Sequence, residues 1–379
     1  MAAGHKVTVI TCVPNFPEGK VYPGYLNKFY QKEELDGIEV RRVKTYITAN
    51  EGFTKRALDY ISFMFAAIFA GLFVRKPDVV IATSPQLFCA CAGWFLSFIK
   101  RRPFVFELRD IWPASIKAVG ASDNQRLIRA FEKVEMFLYR RAALIVSVTN
   151  SFKKELTNRG VDPAKIVVVL NGVDLDVYKP LIGDNELKNS LNLENKFVLG
   201  YIGTIALAHA VETIVEAAEL LKGRNDIAFI IVGGGANSEN IARLAAAKNL
   251  PNLLVMGRQH KNKMPTIWGL CDASVVHLKD TPLFSKVIPS KIFESFAMGI
   301  PVLIGILQGE ATQLVLDCHA GVAIYPENAE RMAGAVIKMK EDTAEYRKLR
   351  NDCLDAARQF NRKQLALQML AELEKVAIA

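Results

Sequence analysis

The sequence lacks several features that would place it in a protein class at once. It has no short-period internal repeat, no low-complexity segment and no signal-peptide pattern ahead of its first apolar segment. Its few cysteines match neither the spacing of a metal site nor the framework of a small disulfide-bonded protein, and they are typical of reduced cytosolic thiols. These residues are Cys12, Cys89, Cys91, Cys271, Cys318 and Cys353. The absences favour an ordinary globular protein.

The sequence also lacks an apolar run long enough to span a bilayer. Residues from Ile61 to Val74 are charge-free and largely apolar, but a spanning helix needs about 20 such residues. Lys55 and Arg56 precede this segment, and Arg75 and Lys76 follow it. Two interpretations stay open: a helix buried between a sheet and its neighbours, or a helix that docks partly into a membrane surface.

Negative charge is scarce in the first half of the chain. The whole sequence carries 48 Lys+Arg against 39 Asp+Glu, a net charge of +9. Met1 to Tyr178 holds 25 against 17 of these, or +8, and the remainder holds 23 against 22, or +1. A basic first half suggests an anionic partner, either nucleic acid or an anionic membrane surface. No nucleic-acid-binding motif is present and the basic residues are dispersed, so the sequence favours the membrane and no nucleic acid.

Short apolar runs alternate with amphipathic stretches along the chain, which predicts parallel sheets covered by helices on both faces. Helices are expected at Gln125 to Arg141 and at Ser151 to Arg159, and the tail from Glu345 to Val376 reads as helical, with Leu365, Met369 and Leu373 on its apolar side. Strands are expected at Lys6 to Thr11, Glu39 to Val43, Val79 to Ala82, Phe104 to Glu107, Ala143 to Val148 and Ile166 to Leu170.

A second series of strands and helices begins near Phe197 with VLGYIG, AVETIVEAAELLKG and IAFIIVGGG. A chain of this length predicts two domains. We expect two Rossmann-like domains, residues 1–178 and 179–379, with the last helix packing back on the first. Ligand is then expected in a cleft that faces the carboxyl ends of the strands.

The segment PSKIFESFAMGIPVLIG, residues 289–305, places a carboxylate among apolar side chains. Ser290 suits a helix start because its hydroxyl can accept from free backbone N–H groups. Gly299 suits the left-handed residue that ends a helix, and Pro301 to Ile304 reads as a buried strand. Glu294 lies within this helix, where an unpaired carboxylate is costly, so it should have a partner.

Two loops after predicted strands are candidates for anion binding. In LGYIGTIALAHAVETI, Gly203 and Thr204 let backbone N–H groups approach an anion, although the loop can equally be a close strand-to-helix connection. In GRQHKNKMPTIW, Arg258 and Lys261 follow a strand and can hold a diphosphate, although such charges are usually solvated. The pair Asp174-x-Asp176 is a weaker candidate, for a metal.

The joint pattern resembles a known family. GRQHK, CDASVVHLKD, PSKIFESFAMGIPVLIG and QGEATQLV are similar to the carboxyl-terminal donor domain of glycosyltransferase family 4, and NGVD and YIG are similar to its domain junction. Within that family, FELRDIWP and PSKIFE resemble transferases of N-acetylated deoxyamino sugars, such as N-acetyl-L-fucosamine, in O-antigen or capsule synthesis.

The resemblance implies a retaining hexosyltransferase of the GT-B fold that uses a UDP-sugar donor and needs no metal. Glu294 is then expected to accept from the ribose hydroxyls, because two carboxylate oxygens match two neighbouring donors. The implied acceptor is a lipid-linked glycan, which places the protein in the cytoplasm at the inner face of the plasma membrane. The implied donor-binding residues are Gly203, Thr204, Arg258, Lys261, Ser290, Lys291, Glu294 and Glu310, and the implied catalytic residues on the acceptor side are Arg109 and Asp110.

The chain departs from the family at several positions. Lys286 stands where many members have a first glutamate, Ala206 replaces a loop glycine, and Arg109 replaces a histidine. MAAGHKVTVIT resembles the second strand of the first domain, so we expect the first strand to be missing and a gap in the sheet, through a truncated gene model or a start at an internal methionine. Two alternatives stay open: a UDP-sugar epimerase of related fold, and a truncated non-catalytic nucleotide-binding paralogue.

Overall fold

A computed structural model describes residues 1–15, 19–48, 53–111, 124–181 and 186–378 of the chain. Trp112 and Pro113 of the FELRDIWP motif lie outside these residues. Contacts divide the chain into unit 1, Met1–Val169 with Gln368–Ala379, and unit 2, Leu170–Leu367. This division lies nine residues before the predicted boundary at 178. The segment after Val169 belongs to unit 2 because Val173 is bonded there, donating its N–H to Phe360 O and accepting from Arg362 N.

Unit 1 contains seven strands in two separate sheets, as far as the described residues show. β3 pairs in parallel with β1 and in antiparallel with β2, and β4 to β7 form a parallel sheet in chain order. The strands are β1 Thr8–Thr11, β2 Tyr30–Leu35, β3 Ile38–Val43, β4 Val80–Thr83, β5 Phe104–Leu108, β6 Leu144–Ser147 and β7 Ile166–Val168.

Strand β2 was not predicted, because its YQKEEL sequence carries three charges and no run of apolar residues. It forms a hairpin with β3 through Asp36 and Gly37, whose φ angles of 52° and 79° are those of a tight hairpin turn. The Asp-Gly pair is therefore the sequence signal that indicated this strand. The other strands of unit 1 lie within two residues of their predicted positions at each end.

In the part of unit 1 that the structure describes before Val169, four helices cover the strands. α1 packs against α2 so closely that a Cβ added to Gly71 would overlap the side chain of Leu96. The predicted helix Ser151 to Arg159 begins one residue earlier, where the Thr149 hydroxyl accepts from Phe152 N. The helices are α1 Phe53–Leu72, α2 Leu87–Lys100, α3 Gln125–Arg141 and α4 Asn150–Asn158.

Unit 2 is built on one parallel six-stranded sheet of order β10-β9-β8-β11-β12-β13. In this doubly wound sheet the order in which strands are added reverses between β8 and β11, although all the strands are parallel. Ligands bind beside that point, at the carboxyl ends of the strands. The strands are β8 Phe197–Ile202, β9 Ile227–Val232, β10 Leu253–Met256, β11 Ala273–His277, β12 Val302–Gly305 and β13 Gly321–Ile324.

Helices cover both faces of this sheet. One apolar cluster joins α6, α7 and α11 to the sheet, and the other joins α9, α10 and α12. The helices of unit 2 are α5 Glu186–Ser190, α6 Glu212–Leu220, α7 Ser238–Lys248, α8 Met264–Trp268, α9 Lys291–Ala297, α10 Glu310–Asp317, α11 Ala329–Glu341 and α12 Thr343–Gln359. The last helix, α13 Arg362–Ile378, belongs to unit 2 as far as Leu367 and to unit 1 from Gln368.

The tail predicted as one helix is two helices, because Phe360 and Asn361 interrupt it. Asn361 forms a parallel bridge with Val173, and such pairing needs extended backbone that a helix does not provide. The predicted apolar side of α13 is only half-buried at Leu365, Met369 and Leu373, and no described residue of α13 is fully buried.

Candidate functional site

The candidate site lies in unit 2 at the carboxyl ends of β8, β9 and β10, beside the start of α9. Loops after the first two strands pack backbone to backbone. Gly203 N donates to Val232 O at 2.9 Å and Ile205 N donates to Gly234 O at 2.9 Å. A Cβ added to Gly233 would overlap Gly203 O, so glycine is required at this approach. The interlocked loops fix the backbone just after β8.

Lys291, the first residue of α9, points its amine at this loop. Its Nζ is shielded from solvent and has no hydrogen-bond partner, and it lies 2.9 Å from the position that a Gly203 Cβ would occupy. It also lies 3.8 Å above the ring centroid of Tyr201, a cation–π distance. Burial lowers the pKa of Lys291 to about 7, although the nearby Glu294 carboxylate opposes this shift.

Glu294 lies one helical turn after Lys291 and is half-buried. The sequence required a partner for it, and the structure supplies Trp268, whose Nε1 donates to Glu294 Oε2 at 3.3 Å. Burial raises the pKa of Glu294, while this hydrogen bond and the charges of Lys291, Arg362 and Lys261 lower it. One indole N–H leaves acceptor capacity on the carboxylate for a ligand.

The position of Glu294 is fixed by the packing of α9. Ile292, Phe293 and Phe296 are fully buried, and Ser295 Oγ donates to Ile300 O at 2.6 Å while lying 2.6 Å from Ser274 Oγ of β11. Gly299 ends the helix in the left-handed conformation, with φ of 65°, as expected. The carboxylate is thus held by a rigid helix.

The structure corrects the expectation for Ser290. It is the residue before α9, but its hydroxyl makes no capping hydrogen bond and its φ and ψ of −61° and −24° are already helical. A capping serine needs an extended backbone to turn its hydroxyl back to the helix. Ser290 is exposed, so its hydroxyl faces outward from the helix start.

The basic loop after β10 supplies two further cations. Arg258 adjoins the glycine loop after β9, since its Cβ lies 3.5 Å from the position of a Gly234 Cβ. Lys261 begins a short 3-10 helix, is exposed, and acts electrostatically on Glu294. The structure therefore brings both residues to the same edge of the sheet as Gly203, Lys291 and Glu294.

Thr204 and Glu310 border the same edge. Thr204 is exposed, and its backbone carbonyl accepts from the Tyr201 hydroxyl. Glu310 is the first residue of α10, and the preceding Gly309 packs so tightly that an added Cβ would overlap the backbone of Ser285. Thr204 lies on the loop that follows β8, and Glu310 begins the helix that follows β12 of the same sheet.

Sequence analysis missed His277, a buried residue that fixes the segment after the glycine loop. Glu327 N donates to His277 Nε2 at 3.0 Å, so the ring proton is on Nδ1, which donates to His209 O at 2.9 Å. Burial lowers the pKa of His277 and lowers that of His209 to about 4. Both rings are therefore neutral at pH 7.

Two of the predicted residues, Arg109 and Asp110, lie in unit 1. Arg109 and Asp110 directly follow β5, and their backbone N–H groups both donate to Ser84 Oγ, at 2.8 and 3.0 Å. The Arg109 guanidinium is exposed and lies 3.5 Å from Glu107 Oε1. Ser84 is buried and follows β4, so this loop is organised at the carboxyl ends of two neighbouring strands.

The carboxylates of Asp174 and Asp176, the weaker candidates for a metal site, both make other contacts in the structure. Asp174 Oδ1 accepts from Asp176 N at 3.0 Å, and Asp176 Oδ2 pairs with Lys363 Nζ at 2.5 Å. Lys363 lowers the pKa of Asp176. Within the part of the chain that the structure describes, no cluster of three or more His, Cys, Asp or Glu residues is arranged to hold a metal ion.

Comparison with known proteins agrees with this architecture. The model of the family "Glycosyl transferase 4-like domain" matches residues 1–172, and that of "Glycosyl transferases group 1" matches residues 183–360. Sucrose-phosphate synthase from Thermosynechococcus elongatus superposes with a TM-score of 0.79 at 18% identity, over 99% of this chain and 90% of its own. HepE from Anabaena, solved with UDP-glucose, superposes with a TM-score of 0.70 at 18% identity, over 88% and 86%.

Two relatives from Escherichia coli are also similar in sequence. WcaI of strain K12, named as a colanic acid biosynthesis glycosyl transferase, is 25% identical over 95% of this chain and 91% of its own length. UDP-Gal:alpha-D-GlcNAc-diphosphoundecaprenol alpha-1,3-galactosyltransferase is 27% identical over 56% of this chain and 55% of its own length. The second match thus spans about half of that relative.

The two α/β units with parallel sheets have the GT-B fold, as the superposed structures do. Both family models match, one to each unit, so the chain belongs to the group 1 glycosyltransferases of family 4. It is accordingly an enzyme of sugar transfer.

Proposed function

We propose that this enzyme moves an N-acetylated deoxy sugar from a UDP donor to a lipid-linked oligosaccharide, with retention of configuration, in cell-surface polysaccharide synthesis. WcaI supports the process, and the undecaprenol-linked galactosyltransferase supports the donor class and the acceptor class. The sugar itself comes from the resemblance of FELRDIWP and PSKIFE to transferases of this kind.

The observation that carries the proposal is the shielded, unpartnered amine of Lys291 beside Gly203, one turn before Glu294. A buried amine without an acceptor is costly, and an anion that reaches the glycine loop supplies that acceptor. The diphosphate of the donor is such an anion. Lys291 binds it from inside the loop, and Arg258 and Lys261 bind it from the solvent side.

Glu294 then accepts hydrogen bonds from the ribose hydroxyls, with Trp268 holding its other oxygen. When the sugar departs, negative charge develops on the UDP diphosphate, and cations already in place stabilise that charge without reorganisation. Gly203 and Thr204 allow backbone N–H groups to approach the same phosphates, and Ser290 and Glu310 border the donor.

Unit 1 receives the acceptor in this proposal. Arg109 and Asp110 follow β5 at the carboxyl end of its sheet, where acceptor groups are expected. The guanidinium group suits binding or stabilising negative charge and not general-base chemistry, so Arg109 contacts an anionic group of the acceptor in this proposal. A lipid-linked acceptor brings the enzyme from the cytoplasm to the inner face of the plasma membrane.

The test is a transfer assay with a panel of UDP-sugars and membranes that contain lipid-linked acceptor. We expect UDP release and a radiolabelled lipid product with one UDP-linked N-acetylated deoxy sugar, and neither with Glu294→Ala. Transfer from a different nucleotide-sugar would overturn the donor assignment. Formation of an isomerised UDP-sugar without acceptor would instead favour the epimerase.

A further inference from the structure

Helix α1 of unit 1 presents an apolar face to solvent. Leu58, Phe65 and Phe69 follow one another at intervals of seven and four residues along its outer side, and their exposed fractions are 51%, 63% and 54%. Phe73 continues this face just beyond the helix, 70% exposed, with its ring 5.2 Å from that of Phe69. We call Leu58, Phe65, Phe69 and Phe73 the apolar face.

The opposite side of α1 is fixed within unit 1. Ala67 and Ala70 are buried, and Gly71 lies against Leu96 of α2. Lys100 Nζ at the end of α2 donates to Val74 O at 2.8 Å and to Leu72 O at 3.3 Å. This bond holds the two helix ends together, so the helix cannot turn its apolar face inward without unpacking from α2.

Exposed cations flank the apolar face at both ends. Lys55 lies in the first turn of α1, and Arg75 and Lys76 follow its last turn. Arg101, after α2, adds another exposed cation beside Phe98, which is 69% exposed. The acidic residues on these segments are Asp59, half-buried with Arg56 on the same helix, and Asp78, exposed, so the surface is basic overall.

We propose that the apolar face of α1, with its flanking cations, is the surface by which this enzyme docks on a bilayer of anionic lipid. A helix with an exposed apolar stripe and basic ends lies in the plane of the interface, its apolar side chains at the boundary of headgroups and acyl chains. Lys55, Arg75, Lys76 and Arg101 then contact lipid phosphates. This inference rests on the proposed lipid-linked acceptor and names the surface that reaches it.

The basic charge around the apolar face favours an anionic bilayer over a second copy of the chain as its partner. In a symmetric dimer through this face, the same basic ends of both copies would lie close together, and such like-charge contacts are unfavourable. An anionic bilayer instead complements every one of these cations. No helix among the described residues is long and apolar enough to cross a membrane, and docking in the plane of the interface needs none.

The test is sedimentation of the full chain with vesicles of phosphatidylcholine, with and without a quarter of phosphatidylglycerol. We expect binding to the anionic vesicles that falls at least about tenfold in Phe69→Ser/Phe73→Ser, because two large apolar side chains leave the lipid. Arg75→Gln/Lys76→Gln should weaken binding to anionic vesicles by about 25-fold, since each cation near such a surface contributes roughly fivefold. These positions are exposed, so thermal midpoints should match the wild type.

The matched control is Leu220→Ser/Leu316→Ser, which removes two exposed leucines of unit 2, 55% and 43% exposed, and should bind vesicles as the wild type does. Equal binding to both vesicle types, or unaltered binding by the Phe variant, overturns the proposal. Absence of vesicle binding together with a dimer that Phe69→Ser abolishes assigns the face to a second copy instead. Neither donor nor acceptor enters this assay, so its outcome is separate from that of sugar transfer.

Discussion

Units 1 and 2 share the same strand and helix alternation but differ in what they leave at the surface. Unit 1 carries 26 Lys+Arg against 17 Asp+Glu, and unit 2 carries 22 against 22. All the phenylalanines that are exposed among the described residues belong to unit 1, and those of α9 in unit 2 are buried. The exposed ones are Phe29, Phe65, Phe69, Phe73, Phe95, Phe98 and Phe137.

Under the proposed function, this difference corresponds to two ways of recognising an anionic partner. In unit 2 the proposed contacts come from a few polar groups, the shielded Lys291 and the half-buried Glu294, where each contact is strong because water competes little. In unit 1 the proposed contacts come from an extended surface of exposed cations and aromatic rings, where each contact is weak and many add up. Single substitutions should therefore have large effects on donor binding in unit 2 and small, additive effects in unit 1.

The largest effect is expected from Glu294→Ala. Two hydrogen bonds from ribose hydroxyls to a carboxylate contribute about 3 kcal/mol together, which corresponds to a loss of about a hundredfold in UDP-sugar affinity. Calorimetric titration with the UDP-sugar measures it. Glu216→Ala, which removes an exposed carboxylate of α6, is the control and should bind normally. An affinity within a factor of three of the wild type would remove Glu294 from the ribose site.

Much of unit 2 could be predicted from its sequence. Its strands are continuous apolar runs, most of which end in glycines, and such runs are typical of a parallel sheet covered by helices on both faces. Glu294 could be singled out because a carboxylate between Phe293 and Phe296 has no local partner. The structure adds the partner, Trp268, which lies 26 residues earlier in the chain, and no local pattern indicates such a long-range contact.

The role of Lys291 could not be predicted from spacing, and only the family resemblance suggested it. In the sequence it is one more lysine at a helix start, where it would be solvated. Only tertiary packing shows that its amine is enclosed by Gly203 and Tyr201. Ser84 is a second example, because the two N–H groups that it accepts lie 25 and 26 residues away in the chain.

Lys291→Met tests the shielded cation directly. The amine must carry its proton to bind a diphosphate, and its pKa of about 7 means that about half of the molecules lack that proton at neutrality. UDP-sugar affinity of the wild type should fall by roughly 25-fold between pH 6.5 and 8.5, with uptake of a proton on binding. The variant should bind at least about tenfold more weakly at pH 6.5 and show no such pH dependence.

A sugar-linked diphosphate is the proper ligand for this titration, because its phosphates do not ionise near neutrality whereas the terminal phosphate of UDP does. Proton uptake is measured by calorimetry in buffers of different ionisation enthalpy. Lys222→Met, at an exposed lysine of unit 2, serves as the control. A wild-type affinity that stays flat across this range would mean that Lys291 is charged throughout or takes no part in binding.

The same substitution should stabilise the unliganded protein. The folded pKa of Lys291, about 7, is below its usual value of 10.5, so the folded state binds fewer protons than the unfolded state between pH 7 and 10. The free energy of unfolding of the wild type therefore rises with pH in that window. Lys291→Met should add about 2 kcal/mol at pH 6.5 and less at pH 9.5, as measured by urea unfolding.

Gain of stability with loss of donor affinity is the outcome that distinguishes a binding residue from a packing residue. A lysine that only supported the fold would lose stability on replacement by Met at both pH values. Lys222→Met should change neither quantity by more than a few tenths of a kcal/mol, as exposed sites usually do.

The smallest effect is expected from Ser84→Ala in unit 1. Its hydroxyl accepts from the backbone of Arg109 and Asp110, and its loss leaves two N–H groups of a partly buried loop without this acceptor. We expect a decrease of about 1–2 kcal/mol in the free energy of unfolding and a KM for the acceptor that rises about threefold, with UDP-sugar affinity unchanged. Ser84→Thr keeps the acceptor oxygen and should restore most of both. If Ser84→Ala weakened the donor instead, the division of labour between the two units would be wrong, because Ser84 belongs to unit 1 and every proposed donor contact to unit 2.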